Sequence, residues 1–170
     1  TPILPTPCTF EGQTSYYIVC KVKILHFIAA SSEPLKKHCI NTSCFMFVTL
    51  KKLSWTEARS WCNRSGADLA TIGNKDEQQL MKYKLPKKEQ GFWIGLNDIK
   101  NEKDFKWVDG TPSQFRSWKF REPPGGTTEN CAELYIDNSN PQANWNDNIC
   151  RTKLYFICRE TKSKYNFSLC

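Results

Sequence analysis

Oxygen-bearing side chains are concentrated in one long polar stretch in the second half of the chain. They form three groups with distinctive neighbours: Glu122-Pro123, Glu129-Asn130-Cys131, and Trp145-Asn146-Asp147 shortly before Cys150. A hard cation such as Ca²⁺ requires about six to eight oxygen ligands from carboxylates, amides and carbonyls. These groups therefore predict a cation-binding loop anchored by cysteines.

Pairs of carboxyl groups also occur in enzymes, above all in those that hydrolyse glycosidic bonds. Such an enzyme needs one protonated acid, whereas acids that surround a cation all stay ionised. The sequence contains no GxSxG motif, no catalytic Cys–His signature and no zinc-water motif. We therefore predict a binding module and not an enzyme.

Nine cysteines among 170 residues are too many for a reduced cytosolic protein unless they bind metal. The paired CxxC spacing of zinc sites is absent, and the only histidines are His26 and His38. Disulfide bonds are the better interpretation, and they indicate a secreted protein or the extracellular part of a cell-surface protein. The N-x-S/T triplets at Asn41, Asn63 and Asn166 predict glycosylation in that compartment.

The chain begins at Thr1 without a methionine or a signal-peptide pattern, so we expect a mature form or a fragment of a longer protein. Its most apolar stretch, residues 16–30, is short and contains Lys21, Lys23 and His26. A membrane span needs about 20 predominantly apolar residues. We therefore predict no membrane insertion in this fragment.

The formal net charge of +7 comes from lysines spread along the chain, including Lys51, Lys52, Lys82 and Lys84. Scattered lysines are typical of several solvated faces, and a dedicated site for sulfated glycan or nucleic acid is the alternative. A nucleic-acid groove would place aromatic residues between the lysines, and the sequence lacks that pattern. Nucleic acid is therefore not predicted as a partner.

Local signals predict short strands and helices on both sides of the polar stretch. Capping residues mark the helix starts, proline marks one helix end, and short apolar runs indicate buried strands. The predicted elements are a strand at 44–50, a helix after the Ser54–Glu57 capping box, a helix between Asn74 and Pro86, and strands at 91–96 and 155–158.

The order of these motifs resembles the C-type lectin-like domain family over about residues 39–160. The resemblance depends on five motifs: the helix that ends in Trp61-Cys62, Trp93-Ile94-Gly95-Leu96, Glu122-Pro123, Trp145-Asn146-Asp147, and the terminal Phe156-Ile157-Cys158. It implies an α+β fold with two helices flanking antiparallel β-sheets, a long Ca²⁺-binding loop and stabilising disulfides. Residues 1–38 are then an N-terminal linker with a small cysteine-containing segment, and 161–170 are a tail.

The resemblance also implies two disulfides, Cys62–Cys158 and Cys131–Cys150. Among the remaining cysteines, Cys39–Cys44 and Cys8–Cys20 are expected as hairpin-type pairs, the former in place of the N-terminal bridge of longer family members. Cys170 is left over. An unpaired cysteine in a secreted chain predicts either a disulfide-linked partner chain or a partner cysteine outside this fragment.

Carried over by position, the expected Ca²⁺ ligands are Glu122, Glu129, Asn146 and Asp147, and the same side chains would bind the hydroxyls of a sugar. A cis Glu122–Pro123 bond is implied as well. An auxiliary metal site would use Asp98 and Glu102, although the later acid of that site is replaced around Gly125, and solvated loop charges are the alternative.

One position departs from the family pattern. The sugar-binding triplet of the family is Glu-Pro-Asn or Gln-Pro-Asp, whereas this chain has Glu122-Pro123-Pro124. Pro124 offers only a backbone carbonyl, and Thr127, Thr128 or a water would have to supply the missing oxygen. We expect Ca²⁺-dependent carbohydrate recognition, with mannose-type glycans favoured; the alternative is a lectin-like receptor or inhibitor domain that binds a cell-surface protein, with Ca²⁺ only structural or absent.

The tryptophans of the chain are expected to be core and loop-packing residues. Trp118, just before the ligand loop, is the best candidate for stacking on a sugar, with a structural role as the favoured alternative.

Overall fold

The computed structural model describes residues 37–86, 88–123, 126–137 and 141–160. Two helices and eight strands lie in these residues. The helices are α1 (Trp55–Arg64) and α2 (Lys75–Lys84). The strands are β1 (Lys37–Ile40), β2 (Ser43–Leu53), β3 (Ala67–Leu69), β4 (Gln90–Asn97), β5 (Lys106–Trp107), β6 (Cys131–Ile136), β7 (Trp145–Asn148) and β8 (Leu154–Glu160). The predicted α+β fold class is confirmed.

Both helices begin at the residues that the sequence indicates. Ser54 caps α1 in a complete capping box, in which the Ser54 backbone N–H donates to Glu57 Oε2 at 2.9 Å. Asn74 caps α2, and its Oδ1 accepts from the Glu77 N–H at 2.9 Å. These side chains satisfy backbone donors that have no partner within the helix, which is why the chain enters helical conformation there.

The strands form one sheet in the order β1-β2-β8-β4-β6-β7, with β3 paired to β8 and β5 paired to β4. One pairing differs from the antiparallel expectation, because β4 and β8 run parallel through Phe92↔Tyr155 and Trp93↔Phe156. A pattern of apolar residues indicates burial but carries no information on strand direction. The long connection between these two strands permits the parallel arrangement.

Strand β4 is buried on both faces. Ile94 and Leu96 contribute to one hydrophobic cluster, which also contains Trp145, whereas Trp93 belongs to a second cluster with Phe156. Each of these five side chains is fully buried. The apolar strand predicted at 91–96 is therefore the centre of the core.

Three disulfides are formed in the described residues: Cys39–Cys44, Cys62–Cys158 and Cys131–Cys150. All three agree with the sequence expectations. Cys131 begins β6 and Cys150 follows β7, so their bond ties β7, which carries Asn146 and Asp147, to the strand that begins two residues after Glu129. Closing a loop of this length lowers the entropy of the unfolded chain, which stabilises the folded state by about 3 kcal/mol. Cys8, Cys20 and Cys170 lie outside the described residues.

Several other expectations concern the surface. Asn41 and Asn63 are both exposed, and their glycosylation remains a prediction; Asn166 lies outside the described residues. In the part of the chain that the structure describes, no helix combines the length and the apolar character needed to cross a membrane. The division at residues 38 and 160 also remains a prediction.

Gly95 lies where β4 passes closely against the chain that follows β3. Its N–H donates to Ala70 O at 2.9 Å, and its carbonyl accepts from Val108 N at 2.8 Å. A Cβ atom at this position would lie 2.6 Å from Leu69 O and 2.8 Å from Val108 Cγ2. Leu69 O is a backbone atom and cannot rotate away, so only glycine allows this approach.

We predict that Gly95→Ala lowers the free energy of unfolding by roughly 1–3 kcal/mol, because the methyl group must displace backbone in a packed core. Urea denaturation monitored by tryptophan fluorescence measures the change. Gly126→Ala is the matched control: a Cβ there meets nothing within 4 Å, and stability should stay the same or rise slightly. Equal stabilities of the two variants would contradict the prediction.

Candidate functional site

Strand β7 places two candidate ligands next to β6. In the antiparallel register, Ala132 pairs with Asp147 and Glu133 pairs with Asn146. Because successive side chains of a strand point to opposite faces, Asn146 and Asp147 project in different directions. A cation held by both must therefore sit at the end or edge of β7, with further ligands supplied by a neighbouring segment.

Trp145 fixes that neighbouring segment. Its indole is fully buried, and Nε1 donates to Gln78 Oε1 at 2.9 Å. Its backbone N–H donates to Ser117 O at 2.7 Å, while its carbonyl accepts from Lys119 N at 2.8 Å. These bonds hold residues 117–119 alongside β7, so that Glu122 follows only a few residues later.

A tight turn then carries the chain from Lys119 to Glu122, closed by a bond from Glu122 N to Lys119 O at 3.0 Å. Phe120 and Arg121 are its central residues, and Arg121 has φ 70°. The Glu122–Pro123 peptide is cis, as the family resemblance implied.

Asp147 is the most informative residue of the site. It is 2% exposed, and neither of its carboxylate oxygens has a hydrogen-bond partner among the described residues. The Glu122 carboxyl group is an acidic neighbour of Asp147. Burial raises the pKa of Asp147 well above its ordinary value, and Glu122 and Glu129 raise it further. An enclosed carboxylate that has no donor and lies near further acids is stabilised by a proton or a cation.

The other two expected ligands occupy less constrained positions. Glu129 is half-buried and acts on Asp147 through its charge. Asn146 donates from Nδ2 to Asp147 O at 2.6 Å and to Glu133 Oε1 at 3.3 Å, which leaves Oδ1 as the atom that can meet a cation. Within the described ranges, no three His, Cys, Asp or Glu side chains already form a metal-binding cluster. The structure thus places both Glu122 and Glu129 near enough to Asp147 for their charges to raise its pKa.

Glu133 is a site residue that the sequence analysis missed. It is 3% exposed, and its Oε1 accepts hydrogen bonds from Asn148 Nδ2 at 2.9 Å and Asn146 Nδ2 at 3.3 Å. Burial raises the pKa of Glu133 to about 7, although the two amide bonds oppose this shift. The available signal was an acid inside the otherwise apolar strand β6.

Gly91 on β4 makes room for the Glu133 carboxylate. A Cβ atom at Gly91 would lie 1.7 Å from Glu133 Oε2. The carboxylate is therefore packed directly against the β4 backbone. This packing and the two amide bonds hold Glu133 in one orientation.

The nearby cations have different roles. Lys119 Nζ lies 3.9 Å from Asp137 Oδ2 and 5.3 Å from the centre of the Tyr135 ring, and its charge lowers the pKa of Glu133. Arg121 instead lies over the ring of Phe120, at 5.3 Å from the centroid. Of the two, Lys119 offsets negative charge at the site, because it lowers the pKa of Glu133.

The expected auxiliary site is divided between a buried and an exposed acid. Asp98 is 3% exposed; its Oδ2 accepts from Lys103 N at 2.8 Å, and its Oδ1 has no partner among the described residues. Its backbone N–H donates to Asn130 O at 3.1 Å, next to Glu129. Glu102 is exposed. The auxiliary metal remains a prediction.

Trp118 packs edge-on against two aromatic rings, Phe105 at 4.9 Å and Trp145 at 5.8 Å between centroids. It is therefore part of the core packing, in agreement with the favoured expectation. Thr127 and Thr128 are exposed, whereas Pro124 lies outside the described residues.

Comparison with known proteins gives matches that are consistent with this geometry. The family profile described as "Lectin C-type domain" matches residues 51–160. The human protein "C-type lectin domain family 4 member E" is 38% identical over 128 residues, which are 74% of this chain and 57% of that protein. Human "C-type mannose receptor 2" is 30% identical over 132 residues, 76% of this chain and 8% of that protein. The chain therefore spans only part of the length of either relative.

A solved structure shows the same fold. The C-type lectin domain of murine dendritic cell inhibitory receptor 2, in complex with N-glycan, superposes with a TM-score of 0.67 at 26% identity, covering 77% of this chain and all of that domain (100%). The profile match, the relatives and the likeness of fold thus agree. The chain belongs to the C-type lectin domain family, whose members are binding modules and not enzymes.

Proposed function

We propose that this domain binds carbohydrate through Ca²⁺ held by Glu122, Glu129, Asn146 and Asp147, in a secreted protein or the extracellular part of a cell-surface protein. The observation that carries the proposal is the buried Asp147 carboxylate, which faces Glu122 and has no hydrogen-bond donor among the described residues. Bound Ca²⁺ would offset the charge of these acids and offer coordination positions to two sugar hydroxyls. The disulfides and the exposed Asn41 and Asn63 support the extracellular setting.

The chain's own residues divide the work according to burial. Asp147 is enclosed and suited to holding the cation, whereas Glu122 is half-buried and can also accept a hydrogen bond from a sugar hydroxyl. Glutamate before Pro123 favours a mannose-type ligand, and one relative is named a mannose receptor. We therefore propose mannose-type glycans as the first ligands to examine.

Binding of a protein ligand is the second candidate function. Pro124 occupies the place where the family pattern has an amide or a carboxylate, and proline offers no side-chain group to a hydroxyl. In that case Ca²⁺ would only order the loop, or would not be needed. A protein partner whose binding survives EDTA, together with failure of every glycan, would favour this candidate.

We expect Ca²⁺ to raise the thermal unfolding midpoint of the domain. At about 10 mM, which is roughly 10–100 times the dissociation constant of extracellular modules, Ca²⁺ should add ~1.4–2.7 kcal/mol of stability. Asp147→Asn should abolish the shift, and Asp76→Asn, an exposed acid on α2, should retain it. No shift in the unmodified domain at either pH 5 or pH 7.5 would contradict the metal site.

The same measurement has an expected pH dependence. Folding raises the pKa of Asp147, so the metal-free folded chain binds a proton more tightly than the unfolded chain does. Its stability should therefore fall as the pH rises from about 4 to 8, and the gain from Ca²⁺ should be larger at pH 7.5 than at pH 5. Glu133, whose pKa is raised to about 7, acts in the same direction, so Asp147→Asn should reduce this dependence in EDTA but not abolish it.

Glycan binding tests the function itself. We predict that the domain binds immobilised mannose-type glycans in Ca²⁺ and releases them in EDTA. Glu122→Gln preserves the shape of the side chain but removes a charge from the cation site, and it should weaken binding at least about tenfold. Binding that is equal in Ca²⁺ and EDTA would contradict the proposed mechanism.

Glu133 should act as a positioning residue for Asn146. Glu133→Ala leaves the Asn146 and Asn148 amides without their buried acceptor, and Ca²⁺ affinity, measured by calorimetry, should fall roughly 10-fold or more. Glu133→Gln keeps an acceptor oxygen of similar size, so it should retain most of the affinity. Urea unfolding of both variants in EDTA reports general destabilisation; similar Ca²⁺ affinities for the alanine and glutamine variants would contradict the positioning role.

A further inference from the structure

The turn from Lys119 to Glu122 presents an aromatic ring and a cation to solvent. Phe120 is 84% exposed, the largest exposure among the large hydrophobic side chains described. The Arg121 guanidinium lies 5.3 Å from the centre of that ring, and in the described part of the chain it makes no ion pair. The two side chains thus form one exposed unit, named here the Phe120–Arg121 tip.

Neither residue is explained by the needs of the turn. Arg121 has φ 70°, a conformation that glycine adopts without strain, as Gly66 and Gly110 do here; Asn41, Lys103 and Ala143 are the other described non-glycine residues with positive φ. Phe120 loses the benefit of burial. Residue choices that oppose local stability are concentrated at functional sites.

The charge of Arg121 is also less compensated than the charge of its neighbour Lys119. Lys119 is engaged with Asp137 and the Tyr135 ring, so its ammonium is already partly compensated. Arg121 has no such carboxylate, and its cation remains available to an anion from outside. Guanidinium groups bind sulfate, phosphate and carboxylate oxygens with paired N–H donors.

The position of the tip connects it to the proposed cation site. Arg121 directly precedes Glu122, and adjacent Cα atoms are about 3.8 Å apart. A glycan bound at Glu122 and Asp147 would therefore lie within reach of the long Arg121 side chain. The Phe120 ring offers an apolar surface on which the face of a second sugar can pack.

We propose that the Phe120–Arg121 tip is a second contact site for the ligand and selects glycans that carry an anionic substituent. The proposal rests on the proposed function and specifies its ligand class. The ring packs against a sugar face, and the guanidinium pairs with the oxyanion. The exposed cation lies beside the proposed Ca²⁺ site, and this juxtaposition favours an anionic glycan over a neutral one.

The experiment compares one mannose-type glycan in four forms, neutral, sulfated, phosphorylated and carboxylated, by surface binding in Ca²⁺. The domain should bind at least one anionic form about 5- to 10-fold more tightly than the neutral form, as one charge-assisted contact provides. Arg121→Gly should reduce the ratio of anionic to neutral binding to about one, and it should raise the unfolding midpoint because glycine relieves the positive φ. Arg121→Lys should keep part of the preference.

Lys103→Gly is the matched control, because Lys103 is also an exposed cation with a positive φ, 67°. It should keep the preference for the anionic form. If the neutral glycan binds in Ca²⁺ and no anionic form binds more tightly, or if Arg121→Gly retains the preference, the inference is wrong and the proposed function stands. If no form binds in a Ca²⁺-dependent way, the proposed function fails, and the inference fails with it.

Discussion

The backbone packing around strand β4 is the constraint on which the rest of the fold depends. β4 is paired at one edge with β8 and at the other with β6, and its faces contact both hydrophobic clusters. Gly95 lets the chain after β3 approach its backbone, and Gly91 leaves the space that the Glu133 carboxylate occupies. Two glycines in one strand normally weaken it, but here each allows a contact that no side chain would permit.

The candidate site is a consequence of this packing. Strand β6 is paired with β4, and β7 is paired with β6 in a fixed register. The buried Trp145 of β7 then holds the segment that leads to Glu122. The result brings two carboxylates together, with Asp147 enclosed and Glu122 at the rim. Such an arrangement opposes folding at neutral pH unless charge is neutralised. Its cost in stability is the physical reason to assign it a ligand-binding role.

Glu133 and the Phe120–Arg121 tip add two further elements to the site, one buried and one exposed. Glu133 lies opposite Asn146 across the β6–β7 pair and accepts a hydrogen bond from its amide. The tip exposes a ring and a cation beside Glu122. Both depart from what local structure prefers, one as a buried acid and the other as a strained, exposed pair. Departures of this kind are most common where binding and stability compete.

Local signals in the sequence determined the helix starts, the apolar strands and the abundance of cysteines, because capping and burial patterns depend on residues close along the chain. The family resemblance supplied the disulfide pairing and the ligand set. Only the tertiary structure decided that β4 and β8 run parallel, that Asp147 is buried without a donor near Glu122, and that the buried Glu133 is bonded to Asn146. The reason is physical: these features arise from contacts between segments far apart in sequence, and the burial and electrostatics of a carboxylate depend on its three-dimensional neighbours.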